Sequence, residues 1–248
     1  MLPCLFLTRP EADSLRFAQA ARAAGWRGEV LVAPLLRIVP APPSEEVLSA
    51  AQTLVATSQH AIAALVAAKP LRDRPIWCVG PRTAQAAQAA GFGKVHVAAG
   101  DAQSLRAALL AALPEEPVLH LRGDHAAMDI AAELRAAGLQ AEACVVYEQV
   151  AQPLTDAARA RLGKGGDVVL PVFSPRSARL LVAAMEGCTA PSTRLHLLAI
   201  SSAAQAAAQV VPWASQHCAA RPDGPAMIAA LGRVQAALEP AEKPRYGD

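Results

Sequence analysis

Aromatic residues are scarce in this sequence of 248 residues: Phe, Tyr and Trp make up 4%, so alanine and the aliphatics must supply most of any core. Long apolar runs are missing too, because charged residues interrupt every stretch short of the ~18 residues that a membrane span requires. The segment Met1–Leu7 is apolar but has no basic residue ahead of it, and Arg9 ends it early. It reads as a first strand rather than a signal peptide. Neither sign of charge dominates. A net charge of +2, without a Lys/Arg run or interleaved basic and aromatic residues, excludes the electrostatic footprint of a nucleic-acid binder. The five cysteines (Cys4, Cys78, Cys144, Cys188, Cys218) are odd in number and never spaced C-x-x-C, which argues against a disulfide framework and a zinc site. They read as reduced thiols among apolar neighbours, and the expectation is a soluble, cytoplasmic protein.

The usual catalytic signatures are missing as well. There is no G-x-G-x-x-G, no G-x-x-x-x-G-K-[ST] and no G-x-S-x-G. The six histidines form no H-E-x-x-H and no carboxylate pairing, so neither metal nor nucleotide cofactor is expected.

What the sequence does have is a regular alternation. Hydrophobic residues reach 53% and charged ones 18%, enough to bury a core in one large domain or two small ones. Short apolar runs alternate with alanine-rich helical patterns, the grammar of a parallel sheet covered by helices. Strands are expected at Leu2–Leu7, Val30–Val32, Leu35–Ile38, Leu54–Ala56, Ile76–Val79, Val95–Val97, Val118–Leu121, Ala141–Tyr147, Val168–Phe173 and Leu195–Ile200. Helices are expected at Pro10–Ala24, Ala61–Ala68, Pro81–Ala90, Ser104–Leu113, Ala126–Ala137, Thr155–Leu162, Pro175–Met185, Ala203–Val210 and Pro225–Leu238. Prolines at 40, 42 and 43 read as a linker, and the charged tail from Pro240 as frayed.

A long-period repeat organises these elements. Thr57-Ser58-Gln59-His60-Ala61 is echoed by Phe173-Ser174-Pro175-Arg176-Ser177, Cys78-Val79-Gly80-Pro81 by Ala199-Ile200-Ser201-Ser202, and the Ser104–Leu113 helix by Pro225–Leu238. Several strands end in turns that open helices: Thr8-Arg9-Pro10, Thr57-Ser58, Gly80-Pro81-Arg82-Thr83, Arg122-Gly123-Asp124, Ser174-Pro175 and Ser201-Ser202. In parallel sheets such turns gather where ligands bind, and helix N-termini suit anions. Each hydroxyl taken alone is better read as a cap for its own helix. Taken together, over both copies, the turns point to an anion-binding cleft between two lobes.

The ordered set of landmarks resembles the uroporphyrinogen-III synthase family. Leu7-Thr8-Arg9-Pro10-Glu11 is similar to that family's opening strand and turn. Thr57-Ser58, Val79-Gly80-Pro81-Arg82-Thr83-Ala84, Leu121-Arg122-Gly123, Val145-Val146-Tyr147-Glu148 after Gly138, and Phe173-Ser174-Pro175 resemble its successive landmarks, over about residues 2–238. No single motif is distinctive; the order and spacing carry the resemblance. Three places depart from it: Ser201-Ser202-Ala203-Ala204 stands where the family shows Gly-Pro-Thr-Thr, Gln149 stands for a threonine, and Asp124-His125-Ala126-Ala127 follows Gly123.

The resemblance implies an α/β fold of two similar lobes, each a parallel sheet flanked by helices, joined by two extended crossings near Leu36–Val39 and Tyr147–Gln152. One lobe would hold residues 1–37 plus 150–248 and the other 38–149. The implied substrate is hydroxymethylbilane, a linear tetrapyrrole with eight carboxylates, closed with loss of water and inversion of ring D, in a monomer needing no cofactor. By carry-over, Tyr147 assists departure of the hydroxyl, the alternative being a packed strand-end tyrosine. Thr8, Thr57, Ser58, Gln59, Gly80, Thr83, Gly123, Ser174, Ser201 and Ser202 would bind the acid arms. Arg9, Arg122 and Arg176 would pair with carboxylates or make surface ion pairs. The preceding pathway enzyme is an implied transient partner. A non-catalytic relative binding a tetrapyrrole or another polycarboxylate is the competing expectation, favoured by Ser201–Ala204 and opposed by Tyr147.

Overall fold

The computed structural model of the chain describes residues 2–66, 71–126 and 128–239. The chain divides into two compact units, Met1–Arg37 with Ala151–Asp248, and Ile38–Val150.

The discontinuous unit is built on strands β1 (Cys4–Leu7), β2 (Glu29–Val32), β9 (Gly166–Val172), β10 (Thr193–Ala199) and β11 (Ser215–Cys218), in the order β11-β10-β9-β1-β2. All four of its strand pairs are parallel. Its helices are α1 (Glu11–Ala23), α7 (Asp156–Gly163), α8 (Pro175–Met185), α9 (Ser202–Ala206) and α10 (Gly224–Leu238). β1 and most of β9 are buried on both faces, which is why they read as unbroken apolar runs rather than alternations. Two clusters cover the two faces: one joins Phe6, Val168 and Leu170 to Leu162 and Leu181, the other Leu5, Leu7 and Val169 to Phe17, Met227 and Leu231. Each such side chain, moved out of water, contributes about 1.5–3 kcal/mol before entropy is counted. The β1–β9 ladder stops at Leu5 opposite Val169, two residues before Pro171, which has no N–H to offer there. α1 stops at Gly25, whose φ of +94° is a conformation a Cβ would oppose.

The continuous unit has the order β3-β8-β7-β4-β5-β6, from β3 (Leu36–Pro40), β4 (Thr53–Ala56), β5 (Ile76–Cys78), β6 (Val95–Val97), β7 (Val118–Gly123) and β8 (Ala141–Ala151). Its helices are α2 (Glu45–Ala50), α3 (Gln59–Leu65), α4 (Pro81–Ala89), α5 (Ala102–Ala112) and α6 (Ile130–Ala136). The Ala41 N–H donates to the Val146 carbonyl (2.8 Å) and the Gln152 N–H to the Leu35 carbonyl (2.9 Å), so numbers rise on one crossing segment as they fall on the other. The two segments linking the units thus pair antiparallel.

The repeat has a topological counterpart. Reading β9, β10, β11, β1 and β2 against β4, β5, β6, β7 and β8, the two spatial orders coincide, with the chain entering one unit at a different point of the cycle. The likeness reaches single residues. Asp101 and Asp223 start α5 and α10 with the same backbone angles, φ −131° and ψ 164°, and each accepts a bond from the backbone N–H three residues on.

Several boundaries differ from the expected ones. The linker prolines are followed at once by α2, capped by Ser44, which accepts from the Val47 N–H. α6 begins at Ile130 rather than Ala126, because Asp129 is its N-cap. α9 ends at Ala206 rather than Val210. β11 has no counterpart among the expected strands, because Ser-Gln-His-Cys offers no apolar run. Ala67 and Ala68 of the expected helix, Ala127 of the turn after Gly123, and the tail from Pro240 lie outside the described residues.

Candidate functional site

Because each sheet is parallel apart from the β3 edge, the turns leaving its strands collect at one edge. In the continuous unit that edge carries Thr57 and Ser58 after β4, Gly80 and Thr83 after β5, Arg122 and Gly123 closing β7, and Tyr147 within β8.

Tyr147 and Gly123 are brought together most tightly. The β7–β8 register slips between Arg122, opposite Val145, and Gly123, opposite Tyr147. That bulge turns the Tyr147 ring over Gly123 so closely that a Cβ there would lie 2.6 Å from Cζ and 2.9 Å from the phenol oxygen. Tyr147 is 6% exposed, and its ring meets His60 of α3 edge-on at 5.6 Å. The turn beyond is tied to the same strand: the Asp124 N–H donates to the Tyr147 carbonyl (3.1 Å), and the Asp124 carboxylate accepts from the backbone N–H groups of His125 (2.9 Å) and Gln149 (3.1 Å). The Gln149 side chain reaches the same turn, its Nε2 donating to the His125 carbonyl (3.4 Å), and the two amide donors partly offset the Asp124 charge.

Arg122 curls over its own turn, donating from Nη1 to the carbonyls of Gly123 (3.1 Å) and Asp124 (3.4 Å). Ser58 is spent on its helix, accepting from the His60 N–H at 3.2 Å, and Gln59 is the first residue of that helix. α4 differs. Its N-cap is Gly80, with no side-chain cap bond, and Pro81 follows. The first turn of α4 therefore offers main-chain donors that no capping side chain occupies, with Thr83 as its third residue, 5% exposed. Gly80 is closely approached by a neighbour: a Cβ there would come within 3.1 Å of the Gly100 Cα, a few tenths of an ångström too tight.

In the discontinuous unit the corresponding edge carries Thr8, Arg9, Ser174, Arg176, Ser201 and Ser202. Thr8 is 4% exposed, and its carbonyl accepts from the Leu35 N–H at 3.0 Å. The Arg9 guanidinium lies 4.4 Å over the Phe173 ring and 3.6 Å from the Asp13 carboxylate. Ser174 forms a capping box with Ser177, and Arg176 is the second residue of α8. Ser201 caps α9, accepting from the Ala204 N–H at 3.3 Å, and Ser202 opens that helix. Where the first copy leaves α4 uncapped at Gly80, the second copy closes its helix with a hydroxyl.

Sequence reasoning passed over His120 and read Phe173 only as a landmark at a strand end. His120 is fully buried in β7 with Nε2 3.4 Å from the Thr57 hydroxyl, and burial pushes its imidazole down to about 4. A histidine inside the apolar run Val118–Leu121 was the available signal. Among the described residues no group of His, Cys, Asp and Glu is arranged to hold a metal ion, and no helix is long and apolar enough to cross a membrane.

The fold is similar to that of uroporphyrinogen-III synthetase from Helicobacter pylori 26695, with TM-score 0.64 and 17% identity, covering 94% of this chain and 100% of that one. It is also similar to a mutant uroporphyrinogen III synthase from Thermus thermophilus, with TM-score 0.51 and 15% identity, covering 96% and 100%. No curated protein matches the sequence. The sequence profile of uroporphyrinogen-III synthase HemD matches residues 16–229, most of the chain, and the chain belongs to the uroporphyrinogen-III synthase family.

Proposed function

We propose that the chain is an active uroporphyrinogen-III synthase: it closes hydroxymethylbilane to uroporphyrinogen III, inverting ring D and releasing water. The observation that carries this reading is the Tyr147 ring, fixed over Gly123 at the ligand edge of a parallel sheet.

Loss of the terminal hydroxyl leaves an azafulvenium cation. Ring D attacks it through its already substituted carbon, and the spiro intermediate opens and recloses in the inverted sense. Hydroxide is a poor leaving group, and a phenol held in one orientation assists its departure as water by hydrogen bonding or proton donation. The rest of the chemistry needs the chain of rings held folded, which fixed anion sites provide. The uncapped start of α4, with Thr83, suits one acid arm. Arg9, placed by the Phe173 ring and the Asp13 carboxylate, is the candidate cation for an acid arm in the discontinuous unit. Ser201 and Ser202 act through backbone groups in this reading, because the Ser201 hydroxyl already caps α9.

The test is turnover of freshly generated hydroxymethylbilane by the wild-type protein and by Tyr147→Phe. The reading expects rapid formation of the type III isomer by the first and a large loss in the folded variant. Only the type I isomer from both, as in spontaneous closure, would sink it.

A further inference from the structure

We infer that the buried imidazole of His120 is a positioning residue: it donates to the Thr57 hydroxyl oxygen and so leaves that hydroxyl's one proton for a carboxylate ligand. The identity of the anion rests on the synthase reading above; the hydrogen-bond polarity does not.

Thr57 follows the last residue of β4, at the ligand edge, and is partly exposed. Val55 of β4 is in register with His120 of β7, so Thr57 lies two residues further along the same sheet face. That face packs Val55 and Val118 against Leu105, Leu109, Ile130 and Leu134, which leaves the imidazole in apolar surroundings. Two observations argue for its tautomer. Nε2 lies 3.4 Å from Thr57 Oγ1, and the buried Nδ1 meets no protein donor or acceptor among the described residues.

A neutral imidazole has one N–H and one lone pair. If the proton sat on Nδ1, a buried N–H donor would be left unpaired, a rare and costly arrangement. With the proton on Nε2 the donor is satisfied by Thr57 Oγ1, and only a lone pair faces the apolar side. The imidazolium is disfavoured by burial first. Of the charged groups that act on the ring, the Asp129 carboxylate favours protonation and the Arg122 cation opposes it, and burial prevails, so the imidazole is held neutral near pH 7.

With Nε2–H donating into Oγ1, the one hydroxyl proton of Thr57 is left for a ligand. An outward-turned donor selects an acceptor, and a carboxylate is the acceptor that gains most from it. A serine would do the same. A valine, equal in shape, would remove the bond, and a phenylalanine at His120 would leave the hydroxyl free to rotate.

A two-bond 1H–15N correlation spectrum of the full-length protein at neutral pH reads the His120 tautomer without reference to activity. The Nε2–H form is expected; the Nδ1–H form or the imidazolium would overturn the inference. Kinetics with hydroxymethylbilane supply the second arm. Thr57→Val should raise KM about tenfold or more with kcat little changed, and Thr57→Ser should restore it. His120→Phe should raise KM in the Thr57 background but not in the Thr57→Val background. An unchanged KM in Thr57→Val, or additive losses in the double variant, would refute the coupling. If the wild-type protein forms no type III isomer, the synthase reading fails by itself. The same variants are then compared by affinity for uroporphyrin, a stable octacarboxylate, where equal affinity of Thr57→Val and wild type would refute the carboxylate role.

Discussion

Replacing Gly123 by alanine places one methyl group where the Tyr147 ring now lies. The added Cβ would stand 2.6 Å from Cζ, 2.7 Å from Cε2 and 2.9 Å from the phenol oxygen. Ordinary carbon contacts begin near ~3.5 Å, so the tip of the ring must retreat by roughly 1 Å. His60 packs on the ring at 5.6 Å, and Tyr147 is only 6% exposed, so there is little free space to retreat into. Overpacking of this size costs about 1–3 kcal/mol of stability. Catalysis should suffer more, because a displacement of ~1 Å in an oriented group costs up to about 100-fold in rate. The assay is kcat for type III formation in Gly123→Ala, alongside circular dichroism to establish that the variant is folded. In the Tyr147→Phe background the same substitution should cost little further, since the hydroxyl it displaces is already gone. A Gly123→Ala variant with wild-type kcat would refute the claim that the bulge aims the phenol.

Further outcomes follow from other parts of the molecule. Tyr147→Phe should lower kcat by about 100-fold or more while costing no more than about 1–2 kcal/mol in thermal unfolding, because the packed ring is kept. Asp167 accepts from Arg194 Nε at 2.6 Å and from His196 Nε2 at 2.9 Å, and the Arg194 bonds, then the His196 bond, hold its carboxyl below the usual range. A depressed folded pKa contributes stability above the unfolded value of about 3.9, lost as pH falls through the folded one. Asp167→Ala should therefore cost about 2 kcal/mol near neutrality in urea unfolding, with the gap from wild type narrowing below about pH 4. Burial pushes the thiols of Cys78 and Cys4 up to about 12 and about 11, whereas Cys218 is exposed on β11. Iodoacetamide at pH 8 should modify Cys218 in the folded protein and reach Cys4 and Cys78 only in denaturant, as read by peptide mass; early labelling of Cys78 would contradict its burial.

The sequence disclosed most where a strand is buried on both faces. Leu5–Leu7, Leu54–Ala56 and Val168–Leu170 are short unbroken runs between turn residues, the pattern of strands covered on both faces. β11 escaped because an edge strand needs only one covered face, and Ser215 and His217 meet His196 through a chain of hydrogen bonds rather than through apolar packing. The caps were legible: Ser58, Ser174 and Ser201 each accept from their own helix. The same legibility misled, since a hydroxyl used as a cap has less to give a ligand, and the uncapped Gly80 turn stands out only once those bonds are seen. The site's tightest contacts were beyond reach. Gly123 meets Tyr147 through a slip in register, and Thr57 meets His120 across 63 positions, and neither separation leaves a local pattern.

The central claim is inversion of ring D. Hydroxymethylbilane carrying 13C at its hydroxymethyl carbon and at the ring D carbon already bonded to the chain tests it directly. Inversion joins the two labelled carbons, so the product formed with this protein should show one-bond 13C–13C coupling. Product without that coupling, the same as from hydroxymethylbilane closing alone, would contradict the account.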